Sequence, residues 1–196
     1  NNDIILSTGM SNLNEIKNAV QILKNKNRKI ILLHCNTEYP TPIFDINLNA
    51  MQALKKKFKL EVGYSDHSLG TQVPVIAASL GAKVIEKHFT ISKKMVGPDH
   101  VASLNPKELI SMVKAIRTTE IILGKSEKFV SNSEKKNLLI ARKSLFAACD
   151  IKKGEKFSLN NLVCLRPGSG ISPINIDQVC KRKAKKNILK GQLIKI

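Results

Sequence analysis

The sequence has no tryptophan and few other aromatic residues, with two Tyr and six Phe among its 196 residues. Because platforms for single-stranded nucleic acid stack bases on exposed aromatic rings, this scarcity argues against such a platform. No uninterrupted apolar run reaches the ~20 residues that a membrane-spanning helix needs. The start, Asn1-Asn2-Asp3, also lacks the basic and apolar regions of a signal peptide. We therefore expect no membrane association.

Cysteine is present but never in a CxxC pair. The four cysteines, Cys35, Cys149, Cys164 and Cys180, are scattered along the chain. This spacing argues against a disulfide framework and against a zinc ribbon. It predicts reduced thiols and a cytoplasmic protein.

Acidic residues are scarce relative to basic ones. The chain has 33 Lys and Arg against 15 Asp and Glu, for a net charge of +18, and residues 142–196 contain thirteen basic and three acidic residues. Such a tail could bind an anionic polymer, or its field could attract a small phosphorylated substrate. Because basic residues are spread through the whole sequence, we favour a solvated face and consider nucleic acid an improbable partner.

The first ~125 residues alternate between short apolar runs and helix-period segments. We predict strands near residues 4–6, 30–33, 62–64 and 83–86. The predicted helices cover residues 12–24, 48–58 and 75–80 and a segment capped by Asn105 and ending before Gly124. This order predicts an α/β fold of four βα units, either an open sheet or the C-terminal half of a (β/α)₈ TIM barrel. If it is a barrel, four more units must lie upstream.

Residues 126–140 are polar and are predicted to form a linker. Residues 141–196 contain short strand-like runs separated by turn signals, which indicates a small β-rich second domain. Within it, Ile151–Phe157 and Ile188–Ile194 each place a Lys-Gly turn after an apolar residue.

Polar residues follow every predicted strand of the first domain. His67 and His88 end successive strands, so they should lie close together in a parallel sheet. Two imidazoles with carboxylates nearby suit a borderline divalent metal, although spacing alone favours hydrogen-bonded structural histidines. His34 lies in an apolar run and is interpreted as a structural histidine.

Five motifs carry a family resemblance. They occur in the order Ser7-Thr8-Gly9-Met10, Leu33 to Pro42, Gly63-Tyr64-Ser65-Asp66-His67-Ser68, Glu86-Lys87-His88-Phe89-Thr90 and Gly97-Pro98-Asp99. Together they resemble the second half of the barrel of the N-acetylneuraminate (sialic acid) synthases. The tail is similar to that family's antifreeze-protein-like (SAF) domain, through Arg142 to Leu145, Asp150 to Glu155 and Arg166-Pro167-Gly168.

The resemblance implies a transferase that condenses phosphoenolpyruvate with an N-acylated mannose-type sugar, giving a nonulosonic acid and phosphate. Its metal ion, expected to be Mn²⁺ with Mg²⁺ or Co²⁺ as alternatives, would be held by His67 and His88. Glu86 matches a carboxylate beside the substrate and the metal. The implied setting is bacterial lipopolysaccharide or capsule biosynthesis.

The resemblance also implies substrate contacts. Sugar contacts fall on Tyr39 and Asp99, and phosphoenolpyruvate contacts fall on Ser7, Ser65 and either Asn36 or Thr37. Arg166 matches an arginine that reaches into the partner subunit's barrel, which implies a domain-swapped homodimer.

Several alternatives remain open from the sequence. The acceptor could be N-acetylmannosamine, its 6-phosphate or a diacetamido-trideoxyhexose, and the loop sequence from Asn36 to Pro42 favours the N-acetylneuraminate or legionaminate branch over pseudaminate. A basic module for an anionic polymer and an inactive remnant are the competing functions. Because the family's phosphoenolpyruvate-binding lysines belong to the first half of the barrel, we expect the isolated chain to be inactive.

Overall fold

A computed structural model describes residues 3–24 and 28–196. Asn1 and Asn2, which contribute to the argument against a signal peptide, lie outside the described residues. The chain divides into two compact units, residues 1–125 and residues 126–196. No helix within the described ranges combines the length and the apolar character needed to cross a bilayer.

The first unit alternates strands and helices. Its strands are β1 (Ile4–Ser7), β2 (Ile30–Cys35), β3 (Glu61–Asp66) and β4 (Ile85–Lys87). Its helices are α1 (Leu13–Lys24), α2 (Asn49–Phe58), α3 (Gln72–Ser79) and α4 (Pro106–Leu123), and a short 3₁₀ turn spans Ile43–Asp45. The four predicted βα units are all present.

All four strands are parallel and follow one another in the sheet in sequence order. The apolar core lies between one face of this sheet and the helices, and includes Ile16, Leu32, Met51 and Val62. Ile5 occupies an alternate position of β1 and is 53% exposed. Sequential parallel strands with their core on the helix side are the arrangement of a barrel wall, whereas an open doubly wound sheet has helices on both faces.

Capping residues fix the ends of the helices. At α4, the side chain of Asn105 accepts from the Glu108 N–H and the Glu108 carboxylate accepts from the Asn105 N–H. Asn12 and Glu15 form the same pair of bonds before α1. Helix α3 begins at Gln72, earlier than predicted, because Pro74 lies in its first turn, where a missing N–H costs no helical hydrogen bond.

The second unit contains an antiparallel pair, β5 (Ser144–Ala147) and β6 (Leu162–Leu165), and three short helices. The helices are α5 (Asn132–Lys135), α6 (Leu138–Ala141) and α7 (Ile176–Cys180), with a 3₁₀ turn at Pro173–Asn175. Part of the predicted linker, residues 126–140, is therefore helical. The Ser131 side chain accepts from the Glu134 N–H, which starts α5 with a capping box.

The two Lys-Gly turns of the second unit are structurally equivalent. Ile151 and Ile188 exchange backbone hydrogen bonds of 2.8 and 2.9 Å. Gly154 and Gly191 both have positive φ, at 86° and 81°. In each turn a side-chain oxygen accepts a hydrogen bond from a backbone N–H three residues earlier. Glu155 accepts from the Lys152 N–H at 3.0 Å, and Gln192 accepts from the Leu189 N–H at 3.1 Å. The repeat seen in the sequence is therefore an antiparallel pair of like turns.

Candidate active site

Two histidines and a tyrosine meet at the edge of the sheet where β2, β3 and β4 end. The Tyr39 hydroxyl oxygen lies 2.6 Å from Nε2 of His67 and 3.0 Å from Nε2 of His88. The Tyr39 ring stacks on His67 with a centroid distance of 4.0 Å, and the two imidazole centroids are 5.4 Å apart. The predicted convergence of the two histidines is present in the structure.

The backbone fixes the tautomer of His67. Its Nδ1 lies 2.6 Å from the carbonyl oxygen of Asn36, which can only accept a hydrogen bond. The proton of the neutral ring is therefore on Nδ1, and the Nε2 lone pair faces the site. A hydrogen bond of this kind orients metal-binding histidines in many proteins.

His88 presents the same nitrogen to the site. Its Nδ1 lies 3.8 Å from a carboxylate oxygen of Asp99. This distance is too long for a hydrogen bond, but the negative charge favours a proton on Nδ1 over one on Nε2. In that tautomer the Nε2 lone pair of His88 also faces the hydroxyl of Tyr39.

The Tyr39 hydroxyl carries a single hydrogen and cannot satisfy both lone pairs. Burial raises the pKa of Tyr39 above its usual value, and the nearby negative charges of Asp99 and Glu86 raise the pKa further, so the group remains a neutral phenol. It can donate to His67 or to His88, which leaves the other Nε2 without a protein donor. A divalent cation would satisfy both nitrogens, so this donor set fits a metal ion.

The described part of the chain has no group of three or more His, Cys, Asp or Glu residues arranged to hold a metal. His67 and His88 would thus be the two protein ligands, and water or substrate oxygens would complete the coordination sphere. Two imidazoles with several open positions suit Mn²⁺, Fe²⁺ or Co²⁺ better than a structural zinc ion, which takes four protein ligands.

Glu86 lies beside this pair. Its Oε1 accepts a 2.6 Å hydrogen bond from the hydroxyl of Ser65, its register partner on β3. The Ser65 oxygen is also 3.4 Å from Nε2 of His67. Glu86, Ser65, the His-Tyr-His group and Asp99 thus form a series of neighbouring polar groups. Within it, Ser65 with His67 and His88 with Asp99 are close, at 3.4 and 3.8 Å, but beyond the usual length of a hydrogen bond.

The other predicted substrate contacts lie outside this series. The Asn36 side chain is used within its own loop, since Oδ1 accepts from the Glu38 N–H at 2.9 Å. Thr37 and Ser7 are exposed, and the Thr37 methyl group lies against Gly9. The contribution of Asn36 to the cluster is its backbone carbonyl, which a pattern of side chains does not reveal.

Arg166 belongs to the second unit. Its Nε donates to the carbonyl oxygen of Ala141 at 3.0 Å, and the side chain is exposed. His34, interpreted from the sequence as structural, has Nε2 2.9 Å from the carbonyl oxygen of Ile46.

A buried ion pair was missed by sequence reasoning. The Lys87 ammonium lies 2.7 Å from Oδ2 of Asp66, and the two side chains are 3% and 0% exposed. The sequence did contain a signal for it. Successive side chains of a strand project to opposite faces, so a charged residue directly before a site-facing histidine must lie on the helix-covered face.

Two family models match the chain. The NeuB family model covers residues 1–128, and the SAF domain model covers residues 142–196. The chain belongs to the NeuB family. The predicted resemblance to sialic acid synthases is thereby confirmed for both parts of the sequence.

Several curated relatives of this NeuB chain are synthases of legionaminic or pseudaminic acid. The N,N'-diacetyllegionaminic acid synthase of Campylobacter jejuni is 52% identical over the whole chain and 59% of the relative. The corresponding synthase of Legionella pneumophila is 42% identical over 96% of this chain and 54% of its own length. A pseudaminic acid synthase of C. jejuni is 42% identical over 97% of this chain and 56% of its own length. The chain therefore spans little more than half the length of these relatives.

Solved structures confirm the fold of the NeuB chain. A sialic acid synthetase from Leptospira borgpetersenii, crystallised with citrate, matches with a TM-score of 0.64 at 41% identity. The match covers 69% of this chain and 47% of the synthetase chain. A spore coat polysaccharide biosynthesis protein E from Chromobacterium violaceum has a TM-score of 0.76 over 98% of this chain and 59% of its own, at 23% identity. The four βα units are the C-terminal half of a TIM barrel, followed by the SAF domain.

Proposed function

We propose that this chain supplies the metal-binding half of a nonulosonic acid synthase, which condenses phosphoenolpyruvate with an N-acylated mannose-type sugar and releases phosphate. The observation that carries the proposal is the convergence of two imidazole Nε2 atoms on one hydroxyl, 2.6 and 3.0 Å away, beside the Glu86 carboxylate. Family membership and the names of the relatives support the class of reaction.

His67 and His88 would hold a divalent ion, for which we propose Mn²⁺, with Mg²⁺ or Co²⁺ as alternatives. When bound, such an ion supplies Lewis acidity toward the aldehyde oxygen of the open-chain sugar. The Asn36 carbonyl keeps the Nε2 lone pair of His67 available for this purpose. The chain thereby provides oriented ligands for the metal ion that would polarise the sugar's carbonyl.

Glu86 is proposed to orient and deprotonate water. Attack of the enolpyruvate methylene carbon on the aldehyde turns the aldehyde oxygen into a hydroxyl once it takes up a proton, and it leaves positive charge at the phosphate-bearing carbon. Water adds at that carbon and loses a proton, and the tetrahedral adduct then collapses to a ketone as the carbon–oxygen bond to phosphate breaks. A carboxylate is suited to stabilise this charge and to accept the proton from the water. The hydrogen bond from Ser65 holds one carboxylate oxygen of Glu86 and leaves the other available.

Further side chains are proposed to bind the two substrates. Tyr39 and Asp99 border the histidines and are suited to sugar hydroxyls. Ser65, Ser7 and either Asn36 or Thr37 are proposed for phosphoenolpyruvate. We also propose that Arg166 binds the N-acyl group of the sugar across a domain-swapped homodimer.

For the acceptor we propose an N-acylated sugar of the N-acetylneuraminate or legionaminate branch. Support comes from the two C. jejuni relatives, because identity is 52% to the diacetyllegionaminate synthase and 42% to the pseudaminate synthase of that organism; the Legionella diacetyllegionaminate synthase is 42% identical. N-acetylmannosamine and a diacetamido-trideoxyhexose are therefore the two sugars to test first.

The test is phosphate release from phosphoenolpyruvate by the complete protein, with Mn²⁺ and each sugar in turn. We expect release that requires both the sugar and the metal, that stops with EDTA and that returns when Mn²⁺ is added back. Release without sugar, or undiminished release in EDTA, would contradict the proposal. The 196-residue chain alone should release no phosphate, and turnover by it would contradict the expectation that upstream residues bind phosphoenolpyruvate.

A further inference from the structure

The buried ion pair of Asp66 and Lys87 lies directly behind the two site histidines. Each member precedes one of them in the sequence, since Asp66 is followed by His67 and Lys87 by His88. Successive side chains of a strand project to opposite faces. The charges therefore lie on the helix-covered face, where Tyr64 and Val62 are part of the core, and the imidazoles lie on the other.

The pair occupies the last rung of the β3–β4 ladder. The paired residues are Tyr64 with Ile85, Ser65 with Glu86, and finally Asp66 with Lys87. Beyond this rung the backbone hydrogen bonds of the sheet no longer fix the distance between the strands. The separation of His67 and His88 consequently depends on side-chain contacts at this rung and on the loops that follow.

Lys87 contacts the two sequence neighbours of His67. Its ammonium donates to Oδ2 of Asp66 at 2.7 Å and also to the carbonyl oxygen of Ser68. Oδ1 of Asp66 accepts from the Ser68 N–H at 3.0 Å. The residues before and after His67 are thus tied to the residue before His88, while the Asn36 carbonyl holds the imidazole itself.

Stability alone gives a weak reason for an ion pair at this place. Replacing a buried ion pair by apolar side chains of similar volume is often neutral or stabilising, because desolvation offsets much of the attraction. Apolar residues such as Val62 and Tyr64 line this face, so an aliphatic pair would fill much of the same space but would lose the two bonds to the Ser68 backbone. Hydrogen bonds differ from aliphatic contacts in that they fix direction, and functional side chains need placement to within about 0.5 Å.

We infer that Asp66 and Lys87 are positioning residues that set the distance and orientation of the two histidine Nε2 atoms for metal binding. The inference rests on the proposed function, because it assigns the pair a role toward the proposed divalent ion. It predicts that metal affinity falls when the pair is replaced, even where folding is preserved.

The experiment compares the complete protein with the double variant Asp66→Leu/Lys87→Met. Mn²⁺ affinity is measured by electron paramagnetic resonance titration, and thermal unfolding is measured without metal. We expect Mn²⁺ to bind about 10–100-fold more weakly, the usual loss when residues that orient metal ligands are changed, while the metal-free protein still unfolds in one cooperative transition at a temperature lowered by the loss of the two bonds to the Ser68 backbone. Parental affinity in this folded variant would overturn the inference.

A matched control lies at the other end of β3. The exposed pair of Lys29 and Glu61, at 2.9 Å, also connects neighbouring strands but is remote in the ladder from the histidines. Lys29→Met should therefore leave Mn²⁺ affinity unchanged. If it weakened binding as much as the double variant does, a specific role for Asp66 and Lys87 would be overturned.

A second variant covers the case in which the apolar pair prevents folding. Asp66→Asn/Lys87→Gln keeps hydrogen-bonding groups and removes both charges, and we expect about tenfold weaker Mn²⁺ binding. Parental affinity in this variant would likewise overturn the inference.

The two proposals fail in different ways. His67→Ala should abolish Mn²⁺ binding, and if it does so while both pair variants bind normally, only the positioning role is wrong. If the parent protein binds none of Mn²⁺, Mg²⁺ and Co²⁺, the metal site of the proposed function is wrong and the inference falls with it.

Discussion

The two units of the chain use buried polar groups in different ways. Among the described residues, the buried polar residues of the second unit are Ser144 and Asn161, whereas the first unit contains eight, including the consecutive run from Ser65 to Ser68. Both buried side chains of the second unit are hydrogen-bonded within the unit. Ser144 donates to the Pro167 carbonyl at 2.7 Å, and Asn161 donates to Glu155 at 3.1 Å.

The first unit leaves some of its polar groups incompletely satisfied. Two lone pairs compete for one hydroxyl hydrogen at His67 and His88, and in the described residues the buried hydroxyls of Tyr64 and Ser68 have no hydrogen-bond partner. An unsatisfied buried polar group costs free energy, so its retention calls for an explanation other than folding. Tyr64 belongs to the core on the helix side of the sheet, so its unpaired hydroxyl lies on the face opposite the histidines. The comparison teaches that an unsatisfied polar group indicates a site only where it lies on the face that the histidines share.

The largest change in stability is expected from the core of the second unit. Phe157 is 1% exposed there, and Phe157→Ala should lower the free energy of unfolding by about 3–5 kcal/mol through lost contacts and a cavity. Hydrogen exchange should rise throughout residues 142–196 while Mn²⁺ binding by the first unit persists. This result would show that folding of the SAF domain and metal binding are separable.

The matched control is Leu159→Ala, because Leu159 is 70% exposed in the same unit. Its effect on unfolding should stay within about 0.5 kcal/mol. Loss of exchange protection in the first unit on Phe157→Ala would contradict the separation of the two units.

A second prediction compares two histidines of the first unit. His67→Ala should lower phosphate release by more than about 100-fold, because loss of a metal ligand should exceed the loss caused by an outer-shell partner. His34→Ala removes a hydrogen bond to the Ile46 carbonyl and a ring contact with Tyr64, so it should cost about 1–3 kcal/mol of stability and little activity. Activity and urea unfolding of the metal-free proteins measure the two effects, and equal losses of activity would contradict the assignment.

Periodicity in the sequence was sufficient to predict the four βα units, since apolar residues at strand and helix spacing dominate the first 125 residues. It also predicted the meeting of His67 and His88, because parallel strands bring their carboxyl ends to one edge of the sheet. Helices α5 and α6 were not predicted, since segments of four residues have no measurable period. The Ser131 and Glu134 capping pair was the signal that could have indicated the first of them.

Contacts made by backbone groups could not be predicted from residue types. The carbonyl of Asn36 orients His67, yet every residue has a carbonyl, and only the fold decides which one lies 2.6 Å from the ring. The position of Tyr39 between the histidines likewise depends on the path of the loop after β2. The assigned roles of Asn36, Thr37 and Ser7 toward phosphoenolpyruvate stay predictions.

A third prediction concerns the proposed contribution of the second unit to substrate binding. Arg166→Ala should raise KM for the sugar by roughly 10–150-fold, the loss expected for a hydrogen bond from a charged donor worth about 1.5–3 kcal/mol. Mn²⁺ affinity should not change, because Arg166 is not a proposed metal ligand. Arg182→Ala is the control, since Arg182 is exposed in the same unit and has no proposed substrate contact. An equal rise in KM for both variants would indicate a general effect of charge.

The smallest predicted effect tests whether the two equivalent turns of the second unit are also equivalent in energy. Gly154 and Gly191 have positive φ, and a Cβ at either position would meet no atom within 4 Å. Alanine there should therefore cost only the backbone strain of the left-handed region, about 1–2 kcal/mol at each glycine. Urea unfolding of the two single variants should give the same loss of stability, with Mn²⁺ affinity unchanged in both. Because steric clash is absent at both positions, a difference larger than about 1 kcal/mol would mean that the two turns contribute unequally to the SAF fold despite their matching hydrogen bonds.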